Sequence, residues 1–242
     1  MAERIPVIEG AQLEVILTQV LTHESATIRE AEAAIRKAQA QPAFLVDLFE
    51  QIRLSKSPQV RQLAAVLMRR RIAAHWTKLD PLVHQQMQAA LLPLLTSEPE
   101  RLVQRSIASV ASVIARYALP KGAWPELFGF LFQCSQSETP SHRELSMLLL
   151  TSLLESELAL ETTFKPHFQL LATTLKTLLG DHANPPVRRA ALKAVGAWAQ
   201  ALDEEENGLL KPLLAPILDV CVQAGSTMPP DEDTLCQAFG IL

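Results

Sequence analysis

Apolar residues recur every three or four positions along most of this chain, with polar residues filling the intervals. That period belongs to an α-helix with one buried side, and no stretch alternates apolar and polar residues as a half-buried strand does. The clearest copy runs from Pro58 to Trp76, PQVRQLAAVLMRRRIAAHW. Ser57 is placed to cap it, and Pro58 sits in the first turn, where a missing N–H loses no partner. The spacing predicts Val60, Leu63, Ala64, Leu67 and Ala74 on the buried side, Arg71 intruding on that side, and Gln62 and Arg69 opposite.

Weaker copies of this helix recur. SATIREAEAAIRKA precedes it; RLVQRSIASVASVIARYA, SHRELSMLLLTSLL and NPPVRRAALKAVGAWAQAL follow. Aligning Ile28, Val60, Val103, His142 and Val187 gives steps of 32, 43, 39 and 45 residues. Those periods are those of helical-hairpin repeats of the HEAT and armadillo kind. The expected fold is therefore all-α, a solenoid of about six HEAT-type hairpins wound into a right-handed superhelix. Its repeats fall near residues 10–40, 42–76, 81–118, 123–156, 165–202 and 207–242. The last segment, DEDTLCQAFGIL, carries acids at its start that suit a helix N-terminus. It ends with Leu242 still in the apolar pattern, where a solenoid needs a polar terminal repeat, so a truncated chain or a fragment of a longer superhelix is expected.

In such a stack the second helix of each hairpin lines one continuous inner surface. The alignment puts two positions per helix opposite the buried stripe: Glu30 and Lys37, Gln62 and Arg69, Arg105 and Ser112, Glu144 and Thr151, Arg189 and Gly196. Arg61 and Arg188, one position after the aligned valines, are expected to hydrogen-bond to neighbouring turns. For Arg69, Arg70 and Arg71, solvation or snorkelling stands beside contact with an acidic partner surface or a phosphate. The acidic run from Asp203 to Glu206 reads as a solvated inter-repeat loop, with a basic partner as the sharper alternative.

Composition sharpens this. The 242 residues are 48% hydrophobic and 20% charged, so a core is assured, and the 16 prolines fall mostly where helices begin or have just ended. The net charge of −4 disfavours a duplex nucleic acid as main ligand and favours basic proteins. The three cysteines, Cys134, Cys221 and Cys236, lie in apolar helical segments and suggest buried free thiols in a reducing compartment rather than a disulfide framework. The start MAERIPVIEG lacks the layout of a signal peptide, and LSMLLLTSLL is about half the length a bilayer needs. No membrane contact is expected.

Catalytic chemistry has no visible place. There is no phosphate-cradling glycine loop, no GxSxG elbow and no HExxH. The six histidines show no metal-ligand spacing with one another or with cysteine. Trp76, Trp124 and Trp198 read as packing residues, and Ser141-His142 as an ordinary helix start. The expectation is a protein with no enzymatic activity, no cofactor and no metal.

Beyond these readings, VRQLAAVLMRRRIAAHW resembles the second repeat of the importin-β, or karyopherin-β, nuclear transport receptors. AWPELFGFLFQCSQSETPSHRELSMLLLTSLL, from Ala123, looks like that family's fourth repeat, and IREAEAAIRKA like its first. The triple arginine followed closely by Trp76, and Trp124-Pro125, look most like the importin four branch. The resemblance is specific over residues 25–155 and generic afterwards. It implies a monomeric receptor that shuttles between cytoplasm and nucleus carrying basic cargo such as histones or ribosomal proteins. It implies that Ran-GTP binds the inner helices of the first repeats, which here means Glu30, Lys37, Gln62, Arg69 and Arg105, with Arg70 beside them. Phenylalanine-glycine nucleoporins would dock between the first helices of repeats five and six. Two other readings share parts of the pattern: a HEAT scaffold subunit of another complex, and a HEAT-like DNA glycosylase, which would need a strongly basic inner face.

Overall fold

A computed structural model describes residues 10–155, 164–202, 207–226 and 231–241 of the chain. Every regular element among the described residues is helical. The α-helices are α1 Gly10–Val20, α2 Ser25–Ala38, α3 Phe44–Leu54, α4 Pro58–His75, α5 Pro81–Ser97 and α6 Arg101–Ala118. They continue as α7 Glu126–Ser135, α8 Pro140–Leu154, α9 Phe168–Leu179, α10 Pro185–Ala201, α11 Leu214–Ser226 and α12 Glu232–Phe239. Short 3₁₀ turns lead into α9 and α11, over Lys165–His167 and Asn207–Leu213. The acidic run of residues 203–206 and Leu242 lie outside the described residues.

The chain divides into two compact units, Met1–Ile114 and Ala115–Leu242. In the first, α1 packs on α2, α3 and α4, and α3 packs on α4. Leu13, Leu17, Leu45, Leu48, Met68 and Ile72 are fully enclosed. In the second unit the pairs α7–α8, α9–α10 and α11–α12 pack internally. Between pairs, first helices meet first helices, α7 with α9 and α9 with α11, while second helices meet second helices, α8 with α10 and α10 with α12. Two helical layers built from successive hairpins result, the arrangement of a HEAT-type repeat array. Trp124, Trp198 and Phe164 are enclosed here, so two of the three tryptophans serve this core, and Trp76 serves that of the first unit.

Helix starts follow local chemistry. Ser57 Oγ accepts from the Val60 N–H at 3.4 Å and Asp80 Oδ1 from the Leu82 N–H at 2.8 Å, each followed by proline in the first turn. Gly122, at φ +63°, closes the turn after α6 in the left-handed region that glycine reaches without steric cost.

The buried arc of α4 differs from the predicted one. Val60, Ala64, Ala65, Met68, Ile72 and His75 are buried, Leu63 and Leu67 are only half-buried, and Ala74 is exposed. A second helix is packed by its own partner α3 and also by α1, so it buries the side where small residues let neighbours approach, and its leucines fall on the shoulders. Arg71 reaches Gln39 Oε1 instead of snorkelling, and His75 Nε2 donates to the Gln39 carbonyl at 2.8 Å, tying α4 to the end of α2. A carbonyl can only accept, which fixes the proton of His75 on Nε2. Just beyond, Trp76 stacks on His84 with centroids 4.2 Å apart.

Candidate functional site

The residue one place after each aligned position is arginine or glutamine in all five second helices, α2, α4, α6, α8 and α10: Arg29, Arg61, Gln104, Arg143 and Arg188. Arg29 Nε stays within its own helix, donating to the Ser25 carbonyl at 3.1 Å, whereas the other four turn back toward the carbonyls that end the partner helix, which an α-helix leaves unsatisfied. Arg61 Nη1 donates to the Ser55 and Lys56 carbonyls at 3.0 and 3.3 Å, just past α3. Arg143 Nη1 does the same to Ser137 and Glu138 at 2.7 and 2.9 Å, and Arg188 Nε to Leu179 at 2.6 Å.

The remaining nitrogens reach an acid of the next hairpin. Arg61 grips Glu98 bidentately at 2.8 and 2.9 Å, Arg143 meets Asp181 at 2.8 Å, and Arg188, 3% exposed, meets Asp219 at 2.9 Å. Gln104 keeps only the backbone half, donating to the Leu95 carbonyl at 2.8 Å. The pairing with Glu98 raises the Arg61 guanidinium above its usual value. Burial opposes ionisation of Asp181, yet hydrogen bonds from Asn184 and Arg143 and the charges of Arg143 and Arg188 outweigh it and hold its carboxyl below the usual range. These arginines are structural rungs. The expected bonds of Arg61 and Arg188 to neighbouring turns are present. The acid partners and Arg143 escaped sequence reasoning, although an acid 31 to 38 residues after each arginine was a readable signal.

The predicted open row splits in two. At its first position Glu30, Arg105 and Arg189 are exposed, and Gln62 and Glu144 half-buried. At its second position Lys37 and Arg69 are exposed, but Ser112 and Thr151 are buried, at 4% and 3% exposure, and Gly196 is half-buried against Ile241 at 3.5 Å. Ser112 and Thr151 turn their hydroxyls to the carbonyls of Ser109 and Met147 at 3.0 and 2.8 Å. A small hydroxyl satisfied within its own helix can be enclosed, so the row expected to stay open closes there.

Arg69 and Arg105 come together. They line one cleft of about 200 Å³ between α4 and α6, with Ala65, Val66, Ser106 and Ser109. Neither guanidinium has an ion-pair or hydrogen-bond partner among the described residues, in contrast to the rungs. Arg70 is exposed beside the cleft, and Glu30, Lys37 and Gln62 do not line it. Ser106 and Ser109 were not anticipated, because their place follows from helix packing and not from a repeat position.

On the first helices of the last two pairs, large apolar residues face outward. Leu214, Leu218 and Val222 follow at four-residue steps along α11, with Leu218 52% and Val222 68% exposed, and Leu170 is exposed on α9. Among the described residues no cluster of three His, Cys, Asp or Glu side chains is placed to hold a metal, and no helix is long and apolar enough to cross a membrane. Cys134 and Cys221 are buried, but Cys236 is exposed, which corrects the expectation of three enclosed thiols. An eight-residue helix packed along one side leaves its outer face, where Cys236 sits, to solvent.

Comparison with known proteins agrees with the hairpin array. Residues 31–97 match the family described as "Importin-beta N-terminal domain", and residues 99–242 match "IPO5-like, TPR repeats". Importin-4 of Homo sapiens is 30% identical over 234 residues, which cover 97% of this chain and 21% of that protein. The chain thus spans about a fifth of the length of that relative. The crystal structure of Kap121p bound to RanGTP superposes with a TM-score of 0.74 at 22% identity, covering 99% of this chain and 22% of that one. Kap121p bound to Nup53p gives 0.75 at 23% identity, with the same coverage. At such identities the likeness is one of fold.

Proposed function

The chain belongs to the importin-β family, and from that premise we propose that it serves nuclear protein import by receiving Ran-GTP on the second helices of its first three hairpins. The contact set is Glu30, Lys37, Gln62, Arg69, Arg70 and Arg105. The observation that carries this is the contrast between arginines: Arg61 is consumed by backbone carbonyls and Glu98, while Arg69, Arg70 and Arg105 are exposed and unpaired among the described residues. Side chains that do nothing for the fold are the ones available to a visitor. The related Kap121p has been crystallised with RanGTP, which supports the choice of partner.

The same reading assigns phenylalanine-glycine nucleoporins to the first helices of hairpins five and six, where Leu170, Leu214, Leu218 and Val222 offer apolar surface to aromatic side chains. Basic cargo such as histones or ribosomal proteins fits the net charge of −4. The six hairpins near residues 10–40, 42–76, 81–118, 123–156, 165–202 and 207–242 act together as a binding array that makes and breaks no bond. Because each hairpin touches chiefly its neighbours, a GTPase at one end biases cargo affinity elsewhere through small shifts in stacking.

The test is capture of purified Ran, loaded with GTP or GDP, on the immobilised chain. Only the GTP form is retained, and Arg69→Glu with Arg105→Glu weakens retention about tenfold, a loss of ~1.4 kcal/mol. The circular-dichroism spectrum and melting temperature stay unchanged, since neither side chain is a rung. Equal retention of both nucleotide states points instead to a HEAT scaffold of another complex. Salt-sensitive binding of duplex DNA in place of Ran would favour the glycosylase reading.

A further inference from the structure

The cleft between α4 and α6 has a chemical polarity of its own. Its floor is small and apolar, Ala65 and Val66. Along one wall Ser106 Oγ donates to the Leu102 carbonyl and Ser109 Oγ to the Arg105 carbonyl, both at 3.0 Å. With those protons committed, the hydroxyl oxygens present lone pairs. Arg69 and Arg105 supply positive charge and N–H donors, and no acidic side chain lines the cleft. A volume of about 200 Å³ is below the roughly 300–1,000 Å³ of small-molecule sites and suits one side chain of a larger partner.

We propose that this cleft captures a glutamate side chain from an acidic segment of a partner protein, its carboxylate bridging Arg69 and Arg105. The aliphatic stem lies on Ala65 and Val66, and a backbone N–H of the same segment donates to a serine oxygen. A singly charged carboxylate needs donors on one side only, whereas a phosphate dianion would set some of its oxygens against the serine lone pairs. The inference rests on the reading that this face docks a protein, and it adds the chemistry that the visitor must bring.

The probe is acetyl-Gly-Glu-Gly-Glu-Gly-amide, titrated into the 15N-labelled chain while the arginine Nε–H resonances are followed. The Arg69 and Arg105 signals are expected to shift together and saturate. Arg105→Gln weakens the response of Arg69 roughly fivefold. Arg105→Lys weakens it similarly, because a compact ammonium does not reproduce the planar fork. A glutamine version of the peptide with equal effect overturns the proposal, as does tighter binding of inorganic phosphate, independent movement of the two signals, or none. The Ran capture separates the two ideas. Failure of Ran to bind with a coupled, saturable titration removes the partner and leaves the clamp, whereas normal Ran retention with a flat titration removes the clamp alone.

Discussion

Cys134 and Cys236 show how far one side chain diverges with its surroundings. Burial on α7 pushes the Cys134 thiol up to about 11, and burial raises Cys221 as well, while Cys236 is exposed on α12. The thiolate is the reactive form, so one equivalent of a chromogenic disulfide reagent should react quickly at pH 8 and two more only after denaturation. Three fast equivalents would contradict the burial. Asp181 supplies a pH dependence of definite sign. Its folded value lies below the unfolded value near ~3.9, so its stabilisation is present above that pH and fades as pH falls through the folded value. Asp231, lowered by Thr234 and by Arg189, acts in the same direction, and Asp47, raised by burial, acts in the opposite one. Asp181→Asn is expected to lower the melting temperature at pH 7 and to approach the parent only as pH falls through the depressed folded value, below the ordinary carboxylate range. At this scale Arg61 and Arg188 were legible as structural because they sit at equivalent places in recognisable copies. Arg143 was not, because its copy reads His-Arg where those of Arg61 and Arg188 read Val-Arg.

Helix boundaries are governed by chemistry within a few residues, which is why Ser57-Pro58 could be read directly and, like Asp80-Pro81, stands as a cap in the structure. Asp80→Ala should cost about 1 kcal/mol in chemical denaturation, the usual worth of an N-cap. The rungs act between elements. Arg188→Ala abandons the Leu179 carbonyl and Asp219 in a site where the guanidinium was 3% exposed, and a loss of about 2–3 kcal/mol is expected. An unchanged denaturation midpoint would show that the rung orients the helices without stabilising them. What sequence could not reveal was the rotation of α4 about its axis, since its packing against α1 as well as α3 depends on a helix remote in sequence. For the same reason the second position of the open row was misjudged at Ser112 and Thr151, whose polarity suggested solvent until their hydroxyls found their own backbone.

For the molecule as a whole, the two proposed partners use surfaces built from different residues, and mutations should separate them. Leu218→Glu with Val222→Glu should abolish capture of a phenylalanine-glycine repeat peptide while Ran-GTP retention stays intact, the reverse of the Arg69 and Arg105 pair. Loss of both activities in either variant would argue for a general folding defect. The fold class was legible because hairpin repeats leave their period in the sequence. The Arg69–Arg105 cleft was legible only in part: repeat position marked both arginines as open, and packing alone could show that they share a pocket.

The rungs carry one more consequence. They join residues 37, 38 and 31 positions apart, so each of these three links spans about one hairpin. A chain wired over such short distances closes its contacts cheaply and need not wait for its far end. At these three junctions a newly translated hairpin can lock onto the preceding one as it leaves the ribosome, the arginine of the earlier hairpin already in place to catch the acid that emerges some seconds later.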